Sequence, residues 1–261
     1  MEIIQINKFS NLHNDIDLIF CKTDFLEDEF RKIKEIKNDV ILITGNSDYS
    51  IDYNIIKNMP SNIKKWYGQN ILYNHSNIIP IPMGIENKLD SIRPGHGVGY
   101  FQRVKEKEDI LNNIKNITPT KKIYANFNIN TNYQYRSIIR DICVESNHIT
   151  WEEPILSLSE FFHTILEFEI IVCPIGNGVD THRLWEVLYS GRTPLTIKCG
   201  DFKIYELYEN LPIIVLNSIK DLYNEKLIYE KFHETKSKIY DMRLIDFSYW
   251  EELINYEKLK K

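Results

Sequence analysis

Arg183 and Glu186, three residues apart, are the side chains of this chain best suited by type and spacing to hold a ligand. They follow the turn Gly176-Asn177-Gly178, in which two glycines let the backbone bend sharply and let another group come close. Free N–H groups at a helix start attract an anion, and an arginine can add a bidentate clamp on phosphate. A glutamate one turn further on can accept hydrogen bonds from a ribose diol. The alternative is an ordinary ion pair between the two side chains.

The elements around this turn are predicted to be a buried strand and a short helix. Residues 168–174 are dominated by Ile, Val, Phe and Cys, as in a parallel strand covered on both faces. Asp180 or Thr181 can cap the helix that follows. Gly191 ends it, with Pro194 soon after, so the helix is about three turns long at most.

A second loop, Asn126-Phe127-Asn128-Ile129-Asn130-Thr131-Asn132, leads into a helix that carries Arg136. Its amide side chains are donors and Arg136 supplies charge, which suits an anion. Asn-rich turns are also ordinary turn chemistry. Two such loops, each with an arginine, favour a diphosphate site.

Asp48 is the candidate catalytic carboxylate of the first half of the chain. It comes just after the apolar run Val40 to Thr44, at the predicted carboxyl end of a strand, where ligand-contacting residues of open α/β sheets collect. The alternative is an N-cap for the segment Tyr49 to Lys57.

Other first-half candidates lie further along the chain. Trp66 can stack on a sugar face or belong to the core. A strand is predicted over Ile78 to Gly84; its two prolines should make it leave the sheet near its end, with Glu86 and Asn87 at the loop tip. The glycine-rich stretch 93–100, with His96, is predicted to be a mobile turn or a lid.

The chain is predicted to form two α/β halves, 1–116 and 117–261, with ligand bound between them. The division falls in the polar stretch 105–120, predicted to be a helix followed by a linker. The helical C-terminal run can return to pack on the first half.

Further strands are predicted at Ile3 to Ile6, Leu18 to Cys21, Ile63 to Gly68, Lys122 to Phe127, His148 to Trp151, Thr193 to Lys198 and Ile213 to Leu216. Helices are predicted at Glu27 to Lys37, Tyr135 to Glu145, Ser157 to Leu166, Tyr205 to Tyr208, from Ile219, and over 224–261 with a break near Asp246.

Composition narrows the class of protein. The 261 residues are 43% hydrophobic, enough for a substantial core. A net charge of −5 argues against a dedicated nucleic-acid binder. The four cysteines are widely spaced without a metal pattern, so buried thiols and a reducing compartment are expected. Neither a targeting sequence nor a transmembrane run is evident, which predicts a cytoplasmic protein.

The stretch IVCPIGNGVDTHRLWEVLYSGRTPL resembles the C-terminal motif of exostosin-like glycosyltransferases, including short bacterial and large-virus members. The loop YANFNINTNYQYR is similar to the opening loop of the family's second half. TGNSD, and the run from WYGQN to PIPMGIEN, look like its first-half motifs. The resemblance spans roughly residues 40 to 197.

This resemblance implies a GT-B architecture, two Rossmann-like domains facing each other across a cleft, here with a reduced N-terminal domain. It implies a nucleotide-diphosphate sugar as donor, with UDP as the expected nucleotide, a glycan acceptor, and neither metal nor cofactor. The diphosphate would lie on Arg183 and Arg136, and the ribose on Glu186. The implied donor-binding residues are Asn130, Arg136, Gly178, Asp180, Thr181, His182, Arg183 and Glu186. The implied acceptor-binding residues are Trp66, Asn70, Glu86 and Asn87.

The expected reaction is an inverting transfer with Asp48 as the base and arginines neutralising the leaving diphosphate. Glu86 is the alternative base, and His182 and His75 are weaker candidates. Two other functions stay open. One is a catalytically silent nucleotide- or glycan-binding module. The other is a metal-dependent transferase of GT-A type using Asp15-Ile16-Asp17, although that motif precedes a strand instead of ending one.

Overall fold

The computed structural model describes residues 1–14, 16–86, 101–114 and 117–259, with only the backbone described over 101–106. The strands are β1 (Leu18–Lys22), β2 (Val40–Gly45), β3 (Ile63–Gly68), β4 (Ile78–Pro80), β5 (Lys121–Ala125), β6 (Ile149–Trp151), β7 (Phe168–Val172), β8 (Thr193–Ile197) and β9 (Ile214–Leu216). The α-helices are α1 (Ile6–Ser10), α2 (Leu26–Glu35), α3 (Tyr53–Ile56), α4 (Phe101–Asn113), α5 (Tyr133–Glu145), α6 (Leu158–Leu166), α7 (His182–Tyr189), α8 (Ile204–Glu209), α9 (Glu225–Ser237) and α10 (Phe247–Leu259).

The strands form two parallel sheets, one in each half of the chain. The first has the order β1-β2-β3-β4 and the second the order β6-β5-β7-β8-β9. All paired strands within them are parallel. The predicted mixed α/β class with two parallel sheets is therefore confirmed.

Each sheet is covered on both faces. One face of the first sheet packs on α2 and α3 through Phe30, Ile33 and Ile56. Its other face packs on α1 and α10, where the rings of Phe9 and Phe247 meet edge to face at 5.1 Å. The C-terminal helix thus returns to the first half. In the second sheet, α5 and α9 cover one face and α6, α7 and α8 the other.

The two halves share one hydrophobic cluster, beside a separate cluster in each half. A single cluster of buried side chains includes Ile43 and Tyr67 of the first sheet, Tyr124 and Ile171 of the second, and Trp185 of α7. The Tyr189 hydroxyl adds a polar link, because it accepts from the Ile4 N–H at 2.9 Å and donates to the Ile245 carbonyl at 2.8 Å.

One local prediction was wrong. Residues 3–6 do not form a strand, because Gln5 makes only an isolated bridge to Gly84 and α1 begins at Ile6. A short apolar run does not distinguish a strand from a buried helix start. The strand predicted over Ile78 to Gly84 is shorter, because β4 ends at Pro80; the chain leaves the sheet there, as its two prolines predicted. The helix predicted from Ile219 is a 3-10 helix over Ile219–Tyr223.

None of the helices in the described ranges combines the length and apolar character needed to cross a bilayer. The four cysteines are free thiols, and Cys21, Cys143 and Cys173 are buried. Residues 87–100, which include the predicted turn with His96, lie outside the described part of the chain.

Candidate functional site

The candidate site lies where the carboxyl ends of the two sheets meet. In the second sheet the chain order reverses beside β5, which lies between β6 and β7. Loops that leave adjacent strands on the two sides of such a reversal frame the usual ligand crevice of an open parallel sheet. The loop after β5 and the glycine turn after β7 begin there. From the first half, Asp48 reaches this turn, since its Oδ2 accepts from Asn177 Nδ2 at 3.2 Å.

Asp48 is exposed in the loop that follows β2. It does not cap α3, because Asp52 accepts the Ile55 N–H at 3.1 Å and performs that role. An exposed carboxylate beside the glycine turn of the other half is accessible to a ligand. Asp48 therefore lies where a base is expected. Its role as the catalytic base stays a prediction.

Arg183 lies in the first turn of α7, next to the loop that follows β5. Its Nη1 donates to the Asn126 carbonyl at 2.6 Å, and the guanidinium carbon lies 3.8 Å from the centre of the Phe161 ring. Stacking and this hydrogen bond orient the guanidinium. Its buried Nε has no hydrogen-bond partner, although Glu186 Oε2 lies 3.4 Å away. The side chain is 28% exposed, so part of a fixed cation faces solvent.

Arg136 connects the two loops. Its Nη1 donates to the Asn128 carbonyl, its Nε to that of Ile175 and its Nη2 to that of Pro174, at 2.7 to 3.2 Å. Burial, followed by the charge of Arg183, lowers the pKa of Arg136 to about 10. With every guanidinium nitrogen bound to main-chain oxygen and the residue 8% exposed, Arg136 positions the loops, and the predicted phosphate contact is not evident.

Glu186 does not have the predicted accessibility to a ribose. Only 4% of its side chain is exposed, and its Oε1 lies 2.6 Å from Lys107 Nζ. Burial favours the neutral acid, but the charges of Lys107 and Arg183 prevail and lower the pKa of Glu186 to about 2. The ordinary ion pair with Arg183, stated above as the alternative, is the arrangement observed. Lys107 also binds Glu86 Oε2 at 2.6 Å, so α4 joins the two halves through buried charges.

Asp180, predicted to contact the sugar phosphate, is buried and bonded within the protein. Its Oδ1 accepts from the Thr181 N–H, Trp185 Nε1 and the Tyr208 hydroxyl, and its Oδ2 accepts from the Met83 N–H. Burial raises the pKa of Asp180 to about 6, against the effect of these four donors. Because Met83 belongs to the first half, this carboxylate holds the two halves together.

Gly178 and Asn70 are in contact with each other. Asn70 Oδ1 accepts the Asp180 N–H at 3.0 Å, and its Nδ2 donates to the Ser47 carbonyl at 3.1 Å. A Cβ placed on Gly178 would lie 2.8 Å from Asn70 Nδ2. The close approach predicted from the glycines is therefore made at Gly178 by a side chain of the first half. Asn70 is fully buried, which does not suit its predicted contact with an acceptor.

Trp66 belongs to the core, so the predicted stacking on a sugar is wrong. It is fully buried against Phe30, and its Nε1 donates to the Thr44 hydroxyl at 2.8 Å.

The remaining candidates differ in accessibility. Asn130 is exposed, and Thr181 is half-buried as the N-cap of α7 without a side-chain cap bond. His182 Nδ1 donates to the Gly84 carbonyl at 2.8 Å; burial, then the charge of Lys107, lowers the pKa of His182. Glu86 is paired with Lys107, and His75 Nδ1 accepts a local N–H. Asn87 lies outside the described residues.

Two residues at the site were missed by sequence reasoning. Lys107 lies in the polar stretch taken for a domain boundary, and nothing distinguishes it there from other lysines. Asn177 stands between the two glycines of the turn, and an amide at that position is a signal from which a contact could have been predicted.

Asp17 of the alternative GT-A motif does not follow a strand. Asp17 directly precedes β1 at its amino end, remote from the carboxyl edge of the sheet, and Asp15 is not among the described residues. Within the described ranges, no group of three or more His, Cys, Asp and Glu side chains is arranged to hold a metal ion.

Comparison of the chain with protein-family models and with curated proteins finds no match. The resemblance to exostosin-like glycosyltransferases therefore stays a prediction from the quoted motifs.

Proposed function

We propose that this protein is a glycosyltransferase that moves a sugar from a nucleotide-diphosphate sugar, UDP-linked by the motif resemblance, to a hydroxyl of a glycan. The observation that carries the proposal is the meeting of Asp48 with the glycine turn of the second half, at 3.2 Å from Asn177. The first half thus contributes an exposed carboxylate that contacts this turn, and the second half contributes a partly exposed arginine at the start of the helix that follows the turn. This is the combination that an inverting transfer without a metal requires. The implied architecture is GT-B, with a smaller first domain.

In this mechanism Asp48 removes the proton from the acceptor hydroxyl, and Asn177 orients the carboxylate. The acceptor oxygen forms a bond to the anomeric carbon while the bond from that carbon to the diphosphate oxygen breaks. Arg183 and the N–H groups at the start of α7 neutralise the leaving diphosphate. Arg136 acts by holding the loops after β5 and β7 in place.

The buried acids take structural roles in this proposal. Asp180 and Glu186 bind groups of both halves, so they shape the crevice without contacting the donor. Because Glu186 is buried, the ribose contact that the family motif implies would be made by a different group. The alternative function, a nucleotide-binding module without catalytic activity, would also use Arg183 but would need no base at Asp48.

Thermal unfolding with a panel of nucleoside diphosphates and nucleotide sugars tests the donor site. A ligand at 100 times its Kd stabilises the native state by about 2.7 kcal/mol, so one nucleotide sugar should raise the midpoint selectively, with or without a chelator. Arg183→Lys keeps the charge but loses the planar fork, and the shift should decrease strongly. The control Arg140→Lys changes an arginine on α5, 39% exposed, and should retain the shift.

Asp48→Asn separates an enzyme from a binding module. The variant should keep the thermal shift but lose at least about 100-fold in transfer or donor hydrolysis, the usual contribution of a general base. Equal turnover in Asp48→Asn would remove Asp48 from the mechanism. Absence of a shift with every nucleotide in the wild type would contradict the proposed function.

A further inference from the structure

Two exposed tyrosines form a ring pair on the first half. Tyr53, the first residue of α3, is 56% exposed, and Tyr73 is 43% exposed. Their ring centroids are 5.2 Å apart with the planes tilted by 55°. Large aromatic side chains left open to water in contact with each other are a common mark of a binding surface.

The backbone beneath the pair is held in place. Ile51 and Ile71 form a parallel bridge, in which the Ile51 N–H donates to the Asn70 carbonyl and the Leu72 N–H to the Ile51 carbonyl. Both isoleucines are fully buried. Tyr53 and Tyr73 each follow a bridged residue by two positions, so the bridge sets their separation. A surface held this way loses little conformational entropy on binding.

The same segment leads directly to the proposed base. Tyr49 follows Asp48 and is 65% exposed. Tyr53 lies five positions after Asp48, which is at most about 18 Å of extended chain. The Asn70 side chain donates to the Ser47 carbonyl and accepts from the Asp180 N–H. The main-chain carbonyl of Asn70 accepts from the Ile51 N–H. The tyrosines, Asp48 and the glycine turn are thus linked through a single residue.

We propose that Tyr53 and Tyr73, with Tyr49, form the surface that binds the glycan acceptor. This inference depends on the proposed function for the class of its ligand. A sugar ring has an apolar C–H face and a rim of hydroxyls, and a tyrosine matches it with an apolar ring and a polar hydroxyl. The tyrosines supply the aromatic contact that was expected of Trp66.

The neighbouring side chains favour a carbohydrate over a protein partner. Asn54 and Asn74 directly follow the two tyrosines in the chain and are exposed, and amides can both donate to and accept from hydroxyls. Asn54 Oδ1 accepts from Lys57 Nζ at 3.0 Å, and its second lone pair can accept from a sugar hydroxyl. Asn74 Oδ1 accepts from Lys203 Nζ at 3.0 Å, which anchors its loop to the second half just before α8. Two half-exposed rings among amides supply only a small part of the roughly 800 Å² per partner that a stable protein interface needs.

A glycan array followed by calorimetric titration tests this surface. The wild type should bind a defined subset of the printed oligosaccharides. Tyr53→Ala/Tyr73→Ala should lower the affinity for that subset at least about tenfold, while Tyr53→Phe/Tyr73→Phe should stay within about threefold because the rings remain. Tyr223→Ala is the matched control, since Tyr223 is 53% exposed on the second half, and it should bind like the wild type.

The possible outcomes distinguish a failure of the proposed acceptor surface from a failure of the proposed donor site. Absence of glycan binding by the wild type, or equal binding by the double alanine variant, would overturn it. Light scattering that shows a dimer in the wild type and a monomer in the variant would also overturn it, in favour of a contact between copies. Tyrosine-dependent glycan binding without any nucleotide-sugar shift would retain the surface and reject the transferase. A nucleotide-sugar shift that persists in the double alanine variant is expected, because Arg183 is unchanged.

Discussion

At the scale of single residues, most charged groups of the candidate site bind other protein groups. Glu186, Asp180 and Arg136 are buried, and each is satisfied by partners far away in the sequence. A charge removed from water must be paired or hydrogen-bonded, and a protein partner serves as well as a ligand. Asp48 and Arg183 retain exposed surface, so they are the residues on which the proposed chemistry depends.

Glu186 should make stability depend on pH in the acid range. Its pKa is lowered from 4.5 to about 2, so its contribution is present above about pH 4.5 and is lost as the pH falls towards 2. The full loss is about 3 kcal/mol. Denaturant unfolding of the wild type and Glu186→Gln at pH 7, 4 and 3 should show a stability difference that narrows as the pH falls.

The control for this experiment is Glu230→Gln. Glu230 is 56% exposed and pairs with Lys226 on the same helix at 3.7 Å, so its replacement should change stability by less than about 0.5 kcal/mol at every pH. A wild-type advantage over Glu186→Gln that is the same at pH 7 and pH 3 would contradict the assigned ionisation.

At the scale of elements, the turn after β7 is shaped by the first half of the molecule. Gly178 leaves room for the Asn70 side chain, which in turn accepts the Asp180 N–H ahead of α7. The glycines were expected to admit a ligand, and one of them admits a neighbouring side chain. Gly191 meets a different requirement, since its φ of +73° ends α7 in the left-handed region as predicted.

A double-mutant cycle on Gly178 and Asn70 measures this contact. Gly178→Ala should destabilise the protein by about 1 to 3 kcal/mol, because the new methyl group would lie 2.8 Å from Asn70 Nδ2. In an Asn70→Ala background the same change should cost at least about 1 kcal/mol less. Urea unfolding of the four proteins gives the coupling.

Gly191→Ala is the control for the cycle. A Cβ there meets nothing within 4 Å, so the cost, about 1 kcal/mol, comes from backbone strain alone. It should therefore be the same in the wild-type background and in the Asn70→Ala background. Equal costs of Gly178→Ala in both backgrounds would show that Asn70 does not shape the turn.

At the scale of the whole molecule, the two sheets are joined by one apolar cluster and by several polar links. Asp180 binds Met83, and Lys107 lies between Glu86 and Glu186. The N-terminal segment and the segment before α10 meet at the Tyr189 hydroxyl. Two parallel sheets by themselves would allow independent domains, but these contacts bind them together.

Unfolding should accordingly be a single cooperative transition. Calorimetry should give one peak, with equal calorimetric and van 't Hoff enthalpies. Trp66→Phe alters the core of the first sheet and Cys143→Ala that of the second, and each should lower the midpoint of the same peak. Two peaks that respond separately to the two variants would mean that residues 1–116 and 117–261 unfold as independent units.

The sequence by itself determined the mixed α/β class, most strands and helices, and the loops that end at the crevice. These features follow from local periodicity and from glycine, proline and capping residues, which act over a few positions. It also located Asp48 and Arg183 at strand and helix ends. The prediction for the first segment was wrong because its apolar run is too short to show a period.

Only the tertiary structure decided which of the candidate side chains face a ligand. Lys107 pairs with Glu186, Met83 and Tyr208 donate to Asp180, and Phe30 covers Trp66. The pairing of Tyr53 with Tyr73 likewise depends on the bridge between Ile51 and Ile71. Each of these contacts joins segments distant in the chain, and residue type and local spacing carry no information about which distant group will be the partner.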